Sequence, residues 1–166
     1  MKADFIINGR RESLEFDSRA TLLEVLRNSG HREVKSGCEN GECGVCTVLL
    51  DGIPVNSCMV LAASVIGREV TTIRGLTEDD DTGLSPVQEA FAEAGGIQCG
   101  FCTPAKVLVT YSLLSRNPQP SDEDIMNALD GNICRCTGYV KILDSVKLAA
   151  EKLKASGKES RKERGK

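Results

Sequence analysis

Histidine is almost missing: the 166 residues hold one, His31. A Rieske centre is thereby excluded, because two imidazoles must ligate one of its irons, and His31 is expected as an exposed loop residue rather than a ligand. Long apolar runs are missing as well. Nothing approaches the roughly 20 apolar residues of a membrane-spanning helix, and Met1-Lys2-Ala3-Asp4-Phe5-Ile6-Ile7 lacks the charged and apolar regions of a secretory signal. A cytoplasmic chain without a membrane span is expected, although export in folded form on a partner is compatible with the same residues. There is no excess of positive charge: the formal net charge is -3, and metal-bound thiolates would make it more negative, so nucleic acid is not an expected partner. No grouping of acid, base and nucleophile demands a catalytic role, and no catalytic residue is assigned.

Cysteine, by contrast, is plentiful. The eight fall into two sets of four, Cys38-x4-Cys43-x2-Cys46-x11-Cys58 and Cys99-x2-Cys102-x31-Cys134-x1-Cys136. The first is the plant-type ferredoxin spacing, with three thiolates on one loop and a fourth from a later segment, suited to a 2Fe-2S cluster. Gly37, Gly41 and Gly44 lie among them, and glycine lets backbone N–H groups approach cluster sulfurs closely. A disulfide framework belongs to oxidising compartments and small secreted domains. Structural zinc usually takes two short Cys-x2-Cys knuckles, unlike three clustered ligands or a terminal Cys-x-Cys. A 2Fe-2S cluster on the first set and an iron-sulfur cluster on the second suit the spacings better.

The chain is long enough for one medium or two small domains, neither with a large core of its own, so cluster binding is expected to supply part of the folding free energy. Residues 1–77 read as strands around one helix. Asn8-Gly9 and Asp51-Gly52 mark hairpin turns, Thr21-Leu22-Leu23-Glu24 a capping box opening a short helix that ends near Gly30, Cys46 to Leu50 a strand, and Glu69 to Ile73 a closing strand. A small β-grasp is the expected outcome. An acidic break, Thr77 to Gly83, reads as a solvated linker. Residues 84–153 then read as four helices: one from Ser85-Pro86-Val87-Gln88, one from Thr103-Pro104, one from Ser121 to Leu129, and one from Tyr139 to about Leu153. The fold class expected is therefore α+β, an N-terminal plant-type ferredoxin β-grasp domain followed by a four-helix bundle that carries the second cysteine set. Residues 154–166 carry six basic and two acidic side chains and read as a basic, disordered tail.

Three segments carry a family resemblance: Gly37-Cys38-Glu39-Asn40-Gly41-Glu42-Cys43-Gly44-Val45-Cys46 with the later Cys58, Gln98-Cys99-Gly100-Phe101-Cys102-Thr103-Pro104, and Gly131-Asn132-Ile133-Cys134-Arg135-Cys136-Thr137-Gly138-Tyr139. Over about residues 3–153 the chain resembles the iron-sulfur subunit of molybdenum hydroxylases, among them xanthine dehydrogenase, aldehyde oxidoreductase and carbon monoxide dehydrogenase. Ala105, Lys106 and Val45 depart from the usual pattern without touching a ligand.

The resemblance implies that the four-helix bundle is a 2Fe-2S-binding domain and that the chain serves in electron transfer. Cys99, Cys102, Cys134 and Cys136 would hold the cluster near a molybdopterin cofactor on a large partner subunit, with Gln98 contacting the pterin. Cys38, Cys43, Cys46 and Cys58 would hold the cluster toward FAD, on a medium subunit. A hetero-oligomer is implied, with a dimer of heterotrimers as one form. Two alternatives stay open at this point: a free-standing 2Fe-2S carrier or redox sensor, and a zinc-stabilised interaction module.

Overall fold

The computed structural model describes residues 1–77 and 83–163, with side chains described as far as residue 155. Most of the acidic linker expected between the halves, and the last three residues of the expected tail, lie outside the described residues.

β1 (Lys2–Ile7) and β2 (Arg10–Glu15) form an antiparallel hairpin closed by Asn8 and Gly9, both at positive φ. α1 (Leu22–Asn28) begins at Thr21 through the expected capping box. The Thr21 N–H donates to the Glu24 carboxylate at 2.7 Å and the Glu24 N–H returns to the Thr21 hydroxyl at 3.2 Å. β3 (Thr47–Leu50) and β4 (Ile53–Asn56) make a second hairpin through Asp51-Gly52, and β5 (Glu69–Thr71) completes the sheet. The order is β2-β1-β5-β3-β4, with β5 parallel to β1 and antiparallel to β3. The closing strand is shorter than expected because Ile73–Leu76 turns into a 3-10 helix.

All four residues of β3 are buried, and strand alternation divides them between two cores. Val48 and Leu50 join Phe5, Ile7, Leu22, Leu26 and Val70 under α1, while Leu49 faces the helices of the second half. A run apolar on both faces is what a strand covered on both sides requires.

The helical half has α2 (Pro86–Glu93), α3 (Thr103–Arg116), α4 (Asp122–Leu129) and α5 (Val140–Glu163). Ser85 with Gln88 forms the capping box read from the sequence, and Ser121, read as a helix start, forms a further one with Asp124. α3 differs: its N-cap is Cys102 and no side chain caps it, so Thr103 is already its first residue. α5 continues to Glu163 and takes in Lys154 to Glu163 of the segment expected as tail, where lysine, arginine, glutamate and alanine are good helix formers.

Phe91, Leu108, Ile125, Ile142 and Val146 fill the helical core, which is continuous with Val45, Leu49 and Leu76 from the first half. The Ser112 hydroxyl on α3 donates to the Gly52 carbonyl at 2.8 Å. The two halves thus share a core instead of meeting only at a linker. Among the described residues no helix is long and apolar enough to cross a membrane.

His31 is not the exposed loop residue expected. Its side chain is largely buried, with Nε2 3.1 Å from Glu12 and Nδ1 3.3 Å from Glu33, whose carboxylate also accepts from the Thr72 hydroxyl. It ties the loop after α1 to β2, and Glu33 ties the same loop to Thr72 just beyond β5. Removing the cap of α4 with S121A should cost about 1 kcal/mol. A lowered unfolding midpoint in urea, with the iron content unchanged, is the expected result.

Candidate metal centres

Both cysteine sets come together as pairs. In the first, the Cys43 N–H donates to the Cys38 sulfur at 3.3 Å, and the Cys46 thiol lies near enough to Cys58 to add to the effect of burial in raising its pKa. Cys38, Cys43 and Cys46 come from the loop between α1 and β3. Cys58 comes from a 3-10 turn after β4, whose Ser57 hydroxyl donates to the Cys46 carbonyl at 2.7 Å. In the second set the outer pair, Cys99 and Cys136, has its sulfurs 3.6 Å apart at the surface. The inner pair, Cys102 and Cys134, is buried, and each thiol shifts the pKa of the other.

No pair is a disulfide; the bond would need sulfurs about 2.05 Å apart. Among the described residues no three histidine, cysteine, aspartate or glutamate side chains converge as a single metal ion would require. Two pairs per site match a dinuclear centre, which takes two thiolates on each iron, better than tetrahedral zinc. The donor set therefore fits a 2Fe-2S cluster at each site.

The sulfurs differ in environment. Backbone N–H groups of Asn40 and Cys43 hold the Cys38 thiol down to about 7. Burial pushes Cys58 up to about 11, helped by the Cys46 thiol, and burial likewise raises Cys102 to about 11, helped by Cys134. Burial opposes ionisation of Cys134, but the Thr137 hydroxyl and the N–H groups of Thr137 and Cys136 outweigh it and bring the thiol to about 7. Cys99 raises Cys136. Each site thus offers one readily formed thiolate and one buried thiol that a bound metal must deprotonate.

The two loops meet back to back. Gly44 has φ +68°, and a Cβ there would run into the Gly131 carbonyl oxygen and the Asn132 amide. The Asn132 amide donates to the Gly44 carbonyl at 2.8 Å and to the Thr47 hydroxyl at 3.2 Å, while the Ile133 N–H donates to the Cys43 carbonyl at 2.9 Å. Asn132 lies within a motif quoted from the sequence, but nothing local marked it as the joint between the halves. Gln98 is exposed beside Cys99, and its side chain makes no hydrogen bond among the described residues.

The structure also gives Lys106 a place that the sequence did not suggest: it is fully buried near the inner pair. The available signal was its position one turn after Cys102 on a helix whose neighbouring residues are all apolar.

Paired thiols in two cysteine loops, one on a β-grasp and one in a helical bundle, define a two-cluster iron-sulfur protein. Comparison with known proteins agrees. A 2Fe-2S iron-sulfur cluster binding domain matches residues 5–70, and a second 2Fe-2S binding domain matches residues 72–147. The nicotinate dehydrogenase small FeS subunit of Eubacterium barkeri is 44% identical, covering 88% of this chain and 92% of the relative. The xanthine dehydrogenase iron-sulfur-binding subunit of Escherichia coli O157:H7 is 44% identical, over 89% and 92%. The nicotine 6-hydroxylase small subunit of Paenarthrobacter nicotinovorans is 45% identical, over 88% and 87%.

Among solved structures, a chain of quinoline 2-oxidoreductase from Pseudomonas putida 86 superposes with a TM-score of 0.85 at 37% identity, over 91% of this chain and 94% of that one. The aldehyde oxidoreductase of Desulfovibrio desulfuricans gives 0.87 at 39%, over 93% of this chain and 17% of the much longer one. The chain belongs to the iron-sulfur subunits of the molybdenum hydroxylase family, and its role is to carry electrons.

Replacing Gly44 with alanine forces a side chain against the second loop and disfavours the backbone besides. G44A should lose iron from both sites, whereas G9A, with equally positive φ but open space around it, should keep its iron. Iron and acid-labile sulfide counts on the two variants separate steric conflict from backbone strain.

Proposed function

We propose that Cys38, Cys43, Cys46 and Cys58 ligate one 2Fe-2S cluster and Cys99, Cys102, Cys134 and Cys136 the other, and that electrons pass between them within a molybdopterin-dependent hydroxylase. The pairing of thiols within each set carries this reading. Each cluster supplies one-electron transfer, which suits a relay between centres that react two electrons at a time. The chain's own residues then hold the two sites in register. The Ile133 N–H to Cys43 carbonyl bond joins the backbone of one ligand to that of the residue before another, and Asn132 prevents the loops from separating. Backbone donors to Cys38, and the Thr137 hydroxyl against the Cys134 sulfur at 3.2 Å, stabilise negative charge on those sulfurs.

The division into residues 1–77, a ferredoxin-like domain, and 84–153, a helical cluster-binding domain, follows the same assignment, with a shared core between them. Cys99 and Cys136 open to the surface, flanked in sequence by the exposed apolar residues Phe101, Ile133 and Val140. This face suits docking on a large molybdopterin-binding subunit, and the unpartnered Gln98 suits a contact with the pterin. Cys58 is followed by exposed Met59 and Leu61, an apolar edge suited to a medium subunit that binds FAD. The expected assembly is a hetero-oligomer, and eight unpaired thiols favour a reducing compartment, the cytoplasm.

Substrate choice belongs elsewhere. Relatives named for nicotinate, nicotine and xanthine are equally similar to this chain, so these residues do not distinguish between such substrates.

Two variants test the ligand assignment. C58S and C136S should each fall from about four irons per chain to about two and lose one dithionite-reduced paramagnetic signal while keeping the other. Variants that keep both signals would refute the assignment. Co-purification with a large subunit is also expected; a chain isolated alone from its native source would favour the free-standing carrier.

A further inference from the structure

Lys106 places a cation inside the protein beside the second cysteine set. It sits on α3 one turn after Cys102, and its relative exposure is 0%. Among the described residues no carboxylate pairs with it. Its Nζ donates to the Asn132 carbonyl at 2.6 Å and lies 4.8 Å from the centre of the Tyr139 ring. The Cys102 and Cys134 sulfurs are the negative groups that act on it. Burial lowers the Lys106 pKa, and the Cys102 and Cys134 sulfurs oppose that shift; the carbonyl and the aromatic face offset part of the cost of burying the ammonium.

Each of these contacts is fixed in place. Asn132 is anchored to Gly44 and Thr47. The Tyr139 phenol oxygen accepts the Cys134 N–H at 2.9 Å, and the Tyr139 backbone sits at φ +70°, a conformation that a bulky residue seldom adopts. The charge of Lys106 is therefore held in a set position next to the inner thiol pair, away from solvent screening.

We propose that Lys106 is a tuning residue that raises the reduction potential of the cluster ligated by Cys99, Cys102, Cys134 and Cys136. The proposal rests on the ligand assignment above. Reduction adds one electron, and thus one negative charge, at that site; no bond is made or broken and no proton moves. A fixed cation in a poorly screened interior favours the added charge. In the complex the electron would come from the molybdenum centre on the large subunit, and Lys106 would draw it onto this chain at the docking face. Asn132 gives the lysine a second connection, since its backbone carbonyl receives the ammonium while its side-chain amide joins the two cluster loops.

The test is a potentiometric titration with dithionite, followed by electron paramagnetic resonance. It uses the full chain with its co-purifying subunits, as wild type and as K106M, which keeps length and removes charge. Iron and sulfide are counted first. The account expects equal loading, one signal whose one-electron reduction constant falls at least tenfold, about 59 mV, and the other signal unchanged. The shifted signal should be the one that C136S abolishes.

Equal loading with both midpoints unchanged would overturn the proposal. If K106M does not load, K106Q is titrated in its place. Failure of both to load would mean that the lysine builds the site rather than tunes it, which also overturns the proposal. A wild-type chain that itself binds no iron would instead refute the ligand assignment, and the tuning role with it.

Discussion

The seam between Gly44 and Asn132 is the contact on which the rest of the molecule depends. Gly44 lies between Cys43 and Cys46, and Asn132 lies two residues before Cys134, so a displacement here moves ligands of both sites together. The side-chain amide of Asn132 spends both its hydrogens across the seam, and its backbone carbonyl accepts from Lys106. Burying these polar groups is tolerable because each finds a partner; removing one would leave the others unpaired in the interior. The absence of a side chain at Gly44 is what lets the two backbones meet.

The same seam explains why the two halves share a core. β3 leads directly out of the first cysteine loop, and its Leu49 is buried among the helices while Val48 and Leu50 are buried under α1. Cluster loops alone, with exposed or half-buried sulfurs at Cys38, Cys43, Cys99 and Cys136, bury little apolar surface. Their positions are inherited from the strand and the helix that flank them. The buried thiols Cys58 and Cys102 need a metal to ionise, so loading with iron and closing the structure are coupled.

Much of the fold was legible because it is written in short-range chemistry. Thr21 with Glu24, Ser85 with Gln88 and Ser121 with Asp124 each form their capping box within four residues, and Asn8-Gly9 and Asp51-Gly52 supply the positive φ that hairpin turns need. The cysteine spacings were legible for the same reason: ligands on a common loop leave a local pattern. Long-range contacts were not legible. The Asn132 to Gly44 bond spans 88 positions, and nothing nearby in sequence predicts it. Lys106 read as a departure from a pattern, because lysine near a helix start is usually solvated, and only the burial of α3 on nearly all sides turns it inward. His31 misled in the same way, since Glu12 approaches it from β2, 19 positions earlier in the chain.

The most direct test of two clusters held at a fixed relation by this seam is the low-temperature paramagnetic resonance spectrum of the anaerobically purified, fully reduced chain, with metal content measured on the same sample. The account predicts about four irons per chain and two 2Fe-2S signals that split one another through magnetic coupling, a coupling weakened when Asn132 is replaced. Zinc in place of iron, or two signals with no mutual coupling, would contradict it.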